Sequence, residues 1–234
     1  VLIPEETPPI PGLSIASVYK PAAEVGGDFF QVIPLAIPEE NPGALVILGD
    51  VSGKGLKAAM TVSLIVGTVR TLAQFTEEPA AILRGLNQRL MGRTEGGFTT
   101  CLVLRIHADG AATLANAGHL APFRDAEELP VTGSLPLGLT ADATYDELDF
   151  RLGKDERLML YTDGIVEARN ARGDLFGFDR VARLLAGRPP VQDVLDTACA
   201  FGQQDDITIL SVTRVPVAEA RTSAIQLTAQ IAPA

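Results

Sequence analysis

A chain of 234 residues, 47% of them hydrophobic, has enough apolar material for one large domain with a sizeable core. The formal net charge of -10 and a pI near 4.7 exclude a nucleic-acid binder, because nothing like a basic stripe offsets the acidic excess. Cys101 and Cys199 are too few and too far apart for a disulfide framework or a thiolate metal site, so a reducing, cytoplasmic setting is expected. No apolar stretch approaches the roughly 18 residues needed to span a bilayer, and no membrane contact is expected of this domain. The chain starts at Val1 rather than methionine and lacks the basic-then-apolar pattern of a signal peptide, so upstream sequence is expected.

Residues 1–12 carry Pro4, Pro8, Pro9 and Pro11 without periodicity and read as a linker lying on the domain's edge. Domain sequence is expected over 13–214. Leu13 to Val18 alternate as a strand does, Phe29 to Leu35 and Ala44 to Leu48 follow, and these three predict one antiparallel sheet, with a hairpin loop at Pro38 to Gly43. Between the first two lies a glycine turn, Glu24-Val25-Gly26-Gly27-Asp28, and the third runs into Gly49-Asp50-Val51-Ser52-Gly53-Lys54-Gly55. From Lys54 to about Phe75, Leu56, Met60, Leu64, Val66, Val69 and Leu72 recur near helical spacing. A second helix opens at Pro79, carries Ile82, Leu83, Leu86 and Leu90, and stops near Gly92.

Short runs at Phe98–Ile106, Ala111–Ala117, Leu120–Phe123 and Tyr145–Leu152, punctuated by turn dipeptides, predict an antiparallel meander. Arg157 to Tyr161 form another strand, ending at Thr162-Asp163-Gly164. Phe178–Leu185 and Val191–Phe201 read as short helices, and Asp205-Asp206 precede a final buried strand, Ile207 to Val212. Residues 215–234 form a C-terminal extension whose alternation at Ile225, Leu227, Ala229 and Ile231 suits an edge strand or a tail. No internal repeat is present.

Four segments distant in sequence thus bring aspartate to a strand terminus: Asp28, Asp50, Asp163 and the Asp205-Asp206 pair. A single Asp-Gly is ordinarily a turn or helix-cap residue. Four at strand ends point instead to a hard cation, since oxygen-only ligands suit Mg²⁺ and Mn²⁺ and two divalent ions cancel four negative charges. Glycine lets a main-chain carbonyl approach an ion, which makes the Val51 carbonyl a candidate ligand. Two ions sharing Asp50 would activate a water for attack on phosphorus, hydrolysing a phosphate ester without a covalent enzyme intermediate. Two other motifs fail on their spacing or identity. A P-loop counted from Gly49 places Lys54 where glycine must sit, and Phe29 stands where a diguanylate cyclase signature requires an acidic residue.

The segments Tyr19-Lys20-Pro21-Ala22, Gly26-Gly27-Asp28-Phe29-Phe30, Gly49 to Gly55, Asn116-Ala117-Gly118-His119, Leu160-Tyr161-Thr162-Asp163-Gly164 and Asp205-Asp206-Ile207-Thr208 run in order across about residues 13–213. Together they resemble the metal-dependent protein phosphatase (PPM, protein phosphatase 2C-like) superfamily, and more closely its bacterial SpoIIE and RsbU-like branch. The resemblance implies an α+β fold, two stacked antiparallel β-sheets flanked by α-helices, with two divalent cations, Mn²⁺ or Mg²⁺, at one end. By carry-over Asp50 would bridge both ions, Asp28 and the Val51 carbonyl would serve one, and Asp163 and Asp205 the other. Asp206, where many relatives carry asparagine, is expected to support the ligands. Ser52 stands where the better-known branch has a histidine proton donor, and no arginine lies near Asp28 to clamp phosphate. Lys20 or Lys54 would have to approach the phosphate, and the general acid is unassigned. His119 is a further candidate, although its setting reads more readily as a turn, and His107 is expected to be structural.

The same resemblance implies a serine/threonine phosphatase acting on a phosphorylated anti-sigma-factor antagonist (STAS) domain, with sensory domains upstream. It leaves a homodimer open, and the adjacency of the two following helices to the metal loop suggests regulation through them. The rival reading is a catalytically silent module of the same fold that binds a signalling partner. A nucleotide cyclase is a third, for which no second motif is evident.

Overall fold

The computed structural model describes residues 3–4, 6–35, 41–93, 96–216 and 226–227. In chain order the elements are β1 (Leu13–Lys20), β2 (Asp28–Pro34), β3 (Gly43–Val51), α1 (Leu56–Leu72), α2 (Pro79–Leu90), β4 (Thr99–His107), β5 (Ala111–Ala117), β6 (Phe123–Arg124), β7 (Glu127–Glu128), β8 (Glu147–Arg151), β9 (Arg157–Tyr161), α3 (Gly177–Ala186), α4 (Val191–Gly202), β10 (Ile207–Arg214) and β11 (Gln226–Leu227). Two sheets result, ordered β11-β1-β10-β9-β6-β7 and β2-β3-β4-β5-β8. Every pairing is antiparallel except the short parallel contact of β11 with β1. This is the expected α+β sandwich.

Two expectations about pairing are corrected. β1 does not join β2 and β3. It pairs along its whole length with β10, Leu13 opposite Arg214 through Lys20 opposite Ile207, while residues 21–27 carry the chain across to the other sheet. The meander also splits: β4, β5 and β8 stay together, but β6 leaves to pair with β9. Alternation establishes which side chains share a face and is silent on which strand lies alongside. Of the expected hairpin loop at Pro38 to Gly43, residues 38–40 lie outside the described residues, as do 217–225 and 228–234 of the C-terminal extension.

β3 shows how the layers arise. Ala44, Val46 and Leu48 face the interior between the sheets, against Leu13, Ile15, Leu160 and Leu210 of the other sheet. Leu45 and Ile47 point the opposite way, onto Val62, Ile65 and Val69 of α1 and Leu83 and Leu86 of α2. The other sheet does likewise, with Met159, Tyr161, Ile207 and Ile209 covered by Val181 and Leu185 of α3 and Val194 and Leu195 of α4. A strand covered on both faces must be apolar throughout, which explains the unbroken run from Ala44 to Leu48. Each large aliphatic side chain so buried contributes roughly 1.5–3 kcal/mol. Ile10, inside the proline segment, is 3% exposed and belongs to the inter-sheet core. No helix among the described residues is long and apolar enough to cross a membrane.

Candidate metal centre

The inter-sheet core ends in polar groups at one rim, and strand parity says which. Stepping by two from Phe30 reaches Asp28, from Leu48 reaches Asp50, from Leu160 reaches Thr162 and from Leu210 reaches Thr208. Asp28 and Asp50 are register partners on β2 and β3. Like charges directly opposite one another in a ladder repel, and burial adds to the cost. Burial first, then the charge of Asp50, holds the Asp28 carboxyl well above the usual carboxylate range, with hydrogen bonds from Thr208 and Thr162 opposing the shift. Asp50 is pushed up to about 7 by burial, then by Asp163, Asp205, Asp206 and Glu167. Asp163 is raised by burial, Glu167 and Asp205.

Main-chain oxygen collects at the same rim. A methyl group on Gly27 would lie 2.6 Å from the Val51 carbonyl oxygen, 3.0 Å from Asp50 Oδ1 and 3.6 Å from the Gly53 carbonyl oxygen. Only glycine leaves that space clear. A carboxylate and two carbonyls around one small space are the donor set of a hard cation, so the residues fit Mg²⁺ or Mn²⁺. The Val51 N–H donates to the Gly27 carbonyl at 3.1 Å, which extends the β2–β3 ladder to this point. After Val51 the chain turns sharply into α1 through Gly53 and Gly55, with φ of +100° and +77°, values that a side chain would strain.

Asp206 lies just before β10, and its carboxylate accepts the Ala22 N–H on Oδ1 at 2.8 Å and the Gly27 N–H on Oδ2 at 2.7 Å. Both oxygens are thereby engaged in holding the glycine turn before Asp28. Asp205 points elsewhere: its Oδ2 lies 3.5 Å from Lys54 Nζ, and that ammonium also donates to the Gln204 carbonyl at 3.3 Å. Gln203 Nε2 fastens this corner, donating to the carbonyls of Lys20 (2.9 Å) and Asp205 (3.0 Å). Asp163 sits in the turn after β9, its carbonyl accepting the Glu167 N–H at 2.8 Å. Among the described residues no three His, Cys, Asp or Glu side chains close into a ready-made chelate. The carboxylates form two halves, one on each sheet, within electrostatic range of one another.

The remaining candidates are tied into the fold. Ser52 Oγ accepts the Phe98 N–H at 2.9 Å and the Ser52 N–H donates to the Phe98 carbonyl at 3.0 Å, pinning the segment before β4 over the metal loop. A cleft of about 180 Å³ opens beside it, lined by Val51, Ser52, Lys54, Thr61 and Phe98. The Asn116 side chain closes the turn to His119, accepting its N–H at 2.7 Å and donating to its carbonyl at 2.8 Å. The His119 ring bonds through Nδ1 to Thr100 Oγ1 at 2.8 Å, and burial pushes its pKa down to about 4, a shift that the Tyr161 carbonyl only partly opposes. The imidazole is therefore neutral near pH 7. His107 hydrogen-bonds the Asn41 carbonyl at 3.2 Å, at the far end of β4. Lys20 reaches this region through its carbonyl, held by Gln203. Sequence reasoning passed over Thr162, Thr208 and Gln203. The parity step that finds Asp28 and Asp50 also finds both threonines, whereas nothing local marks Gln203.

A double-sheet sandwich with acidic residues gathered at one rim defines a phosphatase-2C-like fold, and it is shared with the SiaA-PP2C domain of Pseudomonas aeruginosa (TM-score 0.70, 24% identity, covering 84% of each chain). The family model for Stage II sporulation protein E (SpoIIE) matches residues 41–215, and the chain belongs to that family. It is 26% identical over 182 residues to phosphoserine phosphatase RsbU of Bacillus subtilis (strain 168), covering 74% of this chain and 52% of RsbU. The chain thus spans about half the length of that relative. The RsbU and RsbW domains of Rv1364c from Mycobacterium tuberculosis superpose with a TM-score of 0.77 at 25% identity, over 92% of this chain and 63% of that one.

Proposed function

We propose that the chain hydrolyses phosphoserine and phosphothreonine on a protein substrate with the help of two divalent cations, Mn²⁺ or Mg²⁺. The observation that carries this reading is the Asp28–Asp50 pair, facing each other in register beside the Val51 carbonyl, with Asp163 and Asp205 opposite on the other sheet. Asp50 would bridge the ions, Asp28 and the Val51 carbonyl would hold one, and Asp163 and Asp205 the other. Bound there, the cations would offset the carboxylate charge and lower the pKa of a water poised for in-line attack on phosphorus. The chain supplies the rest. Asp206 keeps the turn before Asp28 in shape, Ser52 fixes the wall of the adjacent cleft, and Lys54 sits where cleft and carboxylates meet, within reach of a phosphate oxygen. A neutral, clasped His119 makes a poor proton donor, so we assign protonation of the leaving alkoxide to solvent.

The name of RsbU as a phosphoserine phosphatase supports the substrate class, and the RsbU and RsbW domains of Rv1364c support a place in the same kind of signalling set. On that basis the substrate would be a phosphorylated STAS-type anti-sigma-factor antagonist, and the catalytic domain, 13–214, would sit behind sensory domains. The rival is a silent module that binds such a partner without hydrolysis. It is favoured by one contact, the Lys54 ammonium 3.5 Å from Asp205 Oδ2, which offsets part of that carboxylate's charge from within the chain. Phosphate release from p-nitrophenyl phosphate and from a phosphoserine STAS domain, with and without Mn²⁺, separates the two. Manganese-dependent release abolished by Asp50→Asn supports the phosphatase. Tight partner binding with no release at saturating Mn²⁺ would establish the silent module instead.

A further inference from the structure

The two halves of the candidate centre belong to different sheets, and the apolar packing that holds those sheets together stops one inner-face position short of it, at Phe30, Leu48, Leu160 and Leu210. What spans the last step is polar. Thr162, at the end of β9, donates its hydroxyl to Asp28 Oδ2 at 2.7 Å, and Thr208, at the start of β10, donates to the same oxygen at 2.6 Å. The bond directions follow from proton counting. Thr162 Oγ1 accepts the Thr208 N–H at 2.9 Å, and its own single proton goes to Asp28 Oδ2 at 2.7 Å in preference to the Thr208 carbonyl at 3.5 Å. Both threonines are fully buried, and their branched Cβ restricts the rotamers available to the hydroxyls.

We infer that Thr162 and Thr208 are positioning residues whose hydroxyls latch the two sheets together at the metal centre and leave Oδ1 as the oxygen that Asp28 presents to a cation. The inference rests on the two-cation reading above and adds the atoms that hold its geometry. Without the two donors a buried carboxylate oxygen has no partner, and the group is released to turn about its Cβ–Cγ bond. The separation of the half-sites then depends on apolar packing that does not reach them. If the threonines only filled the end of the core, valine, which has the same shape, would serve equally well.

The test is Mn²⁺ binding to the intact chain, followed by electron paramagnetic resonance, with circular dichroism to establish folding and phosphate release measured in parallel. Thr162→Val and Thr208→Val are each expected to weaken Mn²⁺ binding about 10- to 100-fold, the range usual for groups that orient a metal ligand. Thr→Ser at either position, which keeps the hydroxyl, should stay within about threefold. Folded Val variants that bind Mn²⁺ like the wild type overturn the inference, and so does a Ser variant that loses as much as Val. Should a Val variant fail to fold, Thr208→Cys, with its weaker S–H donor, takes its place, and wild-type affinity there is equally fatal. If the wild type neither binds Mn²⁺ nor releases phosphate, the two-cation reading fails and takes this inference with it. If the wild type and the Val variants all do both, the latch alone is wrong.

Discussion

The half of the centre on β2 and β3 and the half beside β9 and β10 are built in opposite ways. Asp28 and Asp50 are rungs of a ladder, placed by strand register and unable to draw apart, with Asp28 only 3% exposed. Asp163 and Asp205 stand in turns outside the ladder, and Asp205 has a 40% exposed side chain with Lys54 at 3.5 Å. Burial is the largest cause of the raised proton affinity at Asp28 and Asp50, followed by the charge of Asp50 at the first and of Asp163 and Asp205 at the second. In the second half Asp163 is raised in the same way, by burial, Glu167 and Asp205, and only Asp205 meets solvent and lysine. The lesson is that a cation offsets most in the ladder half, where burial is deepest and the Thr208 and Thr162 hydrogen bonds relieve Asp28 only in part.

Substitutions should separate the halves by size of effect. Asp50→Asn should cut manganese-dependent phosphate release by more than about 100-fold, beyond the range seen when only a supporting group is lost. Asp205→Asn should cost roughly tenfold and recover as Mn²⁺ is raised, because a turn-borne ligand can be partly replaced by water. Equal and irreversible losses in both variants would erase the distinction.

Stability against pH is the next largest effect. With its pKa raised from 3.8 to about 7 in the folded chain, Asp50 binds a proton more tightly folded than unfolded. Its contribution is fully present below pH 3.8 and is lost as pH rises through about 7. The raised Asp28 and Asp163 act with the same sign. Urea unfolding of the metal-free chain should therefore show lower stability near pH 8 than near pH 5, by no more than about 3 kcal/mol from Asp50. Asp50→Asn should flatten that slope, and Mn²⁺ should stabilise more at the higher pH. A slope that survives the substitution unchanged would place the strain elsewhere.

Two smaller effects sharpen the contrast. Asp206→Asn keeps one acceptor and loses the other, so one backbone N–H of the glycine turn goes unpaired, costing about 1–3 kcal/mol in thermal or urea unfolding. Lys54→Met should leave stability within about 1 kcal/mol, as expected for an exposed ion pair. It should nevertheless tighten Mn²⁺ binding by titration, since the ammonium no longer competes for Asp205. Weaker Mn²⁺ binding in Lys54→Met would assign that lysine a supporting role.

Much of this molecule is legible in a single line of letters, because period-two and period-3.6 burial leave direct marks. The strands from Leu13, Phe29, Ala44, Arg157 and Ile207 and the helices after Gly55 and at Pro79 form close to where their patterns place them. Asp50 and Asp163 stand out because each ends an apolar run beside glycine, Asp28 because it opens one beside glycine, and Asp205-Asp206 because they precede one. Pairing was not legible. β1 finds β10 nearly two hundred residues away, and β6 deserts its neighbours for β9, since a strand's apolar alternation is satisfied by any partner that covers the same face.

Composition and alternation alone determined the strands, the four helices and a set of carboxylates at strand ends, while the two stacked sheets with flanking helices were implied by the family resemblance. Only the tertiary structure decided that those carboxylates divide between two sheets, that Asp206 spends both oxygens on the glycine turn, and that Thr162 and Thr208 meet on Asp28. The physical reason is range. Burial periodicity acts between residues a few positions apart, whereas a hydrogen bond across the sandwich joins residues 134 and 180 positions apart and exists only after both sheets have packed.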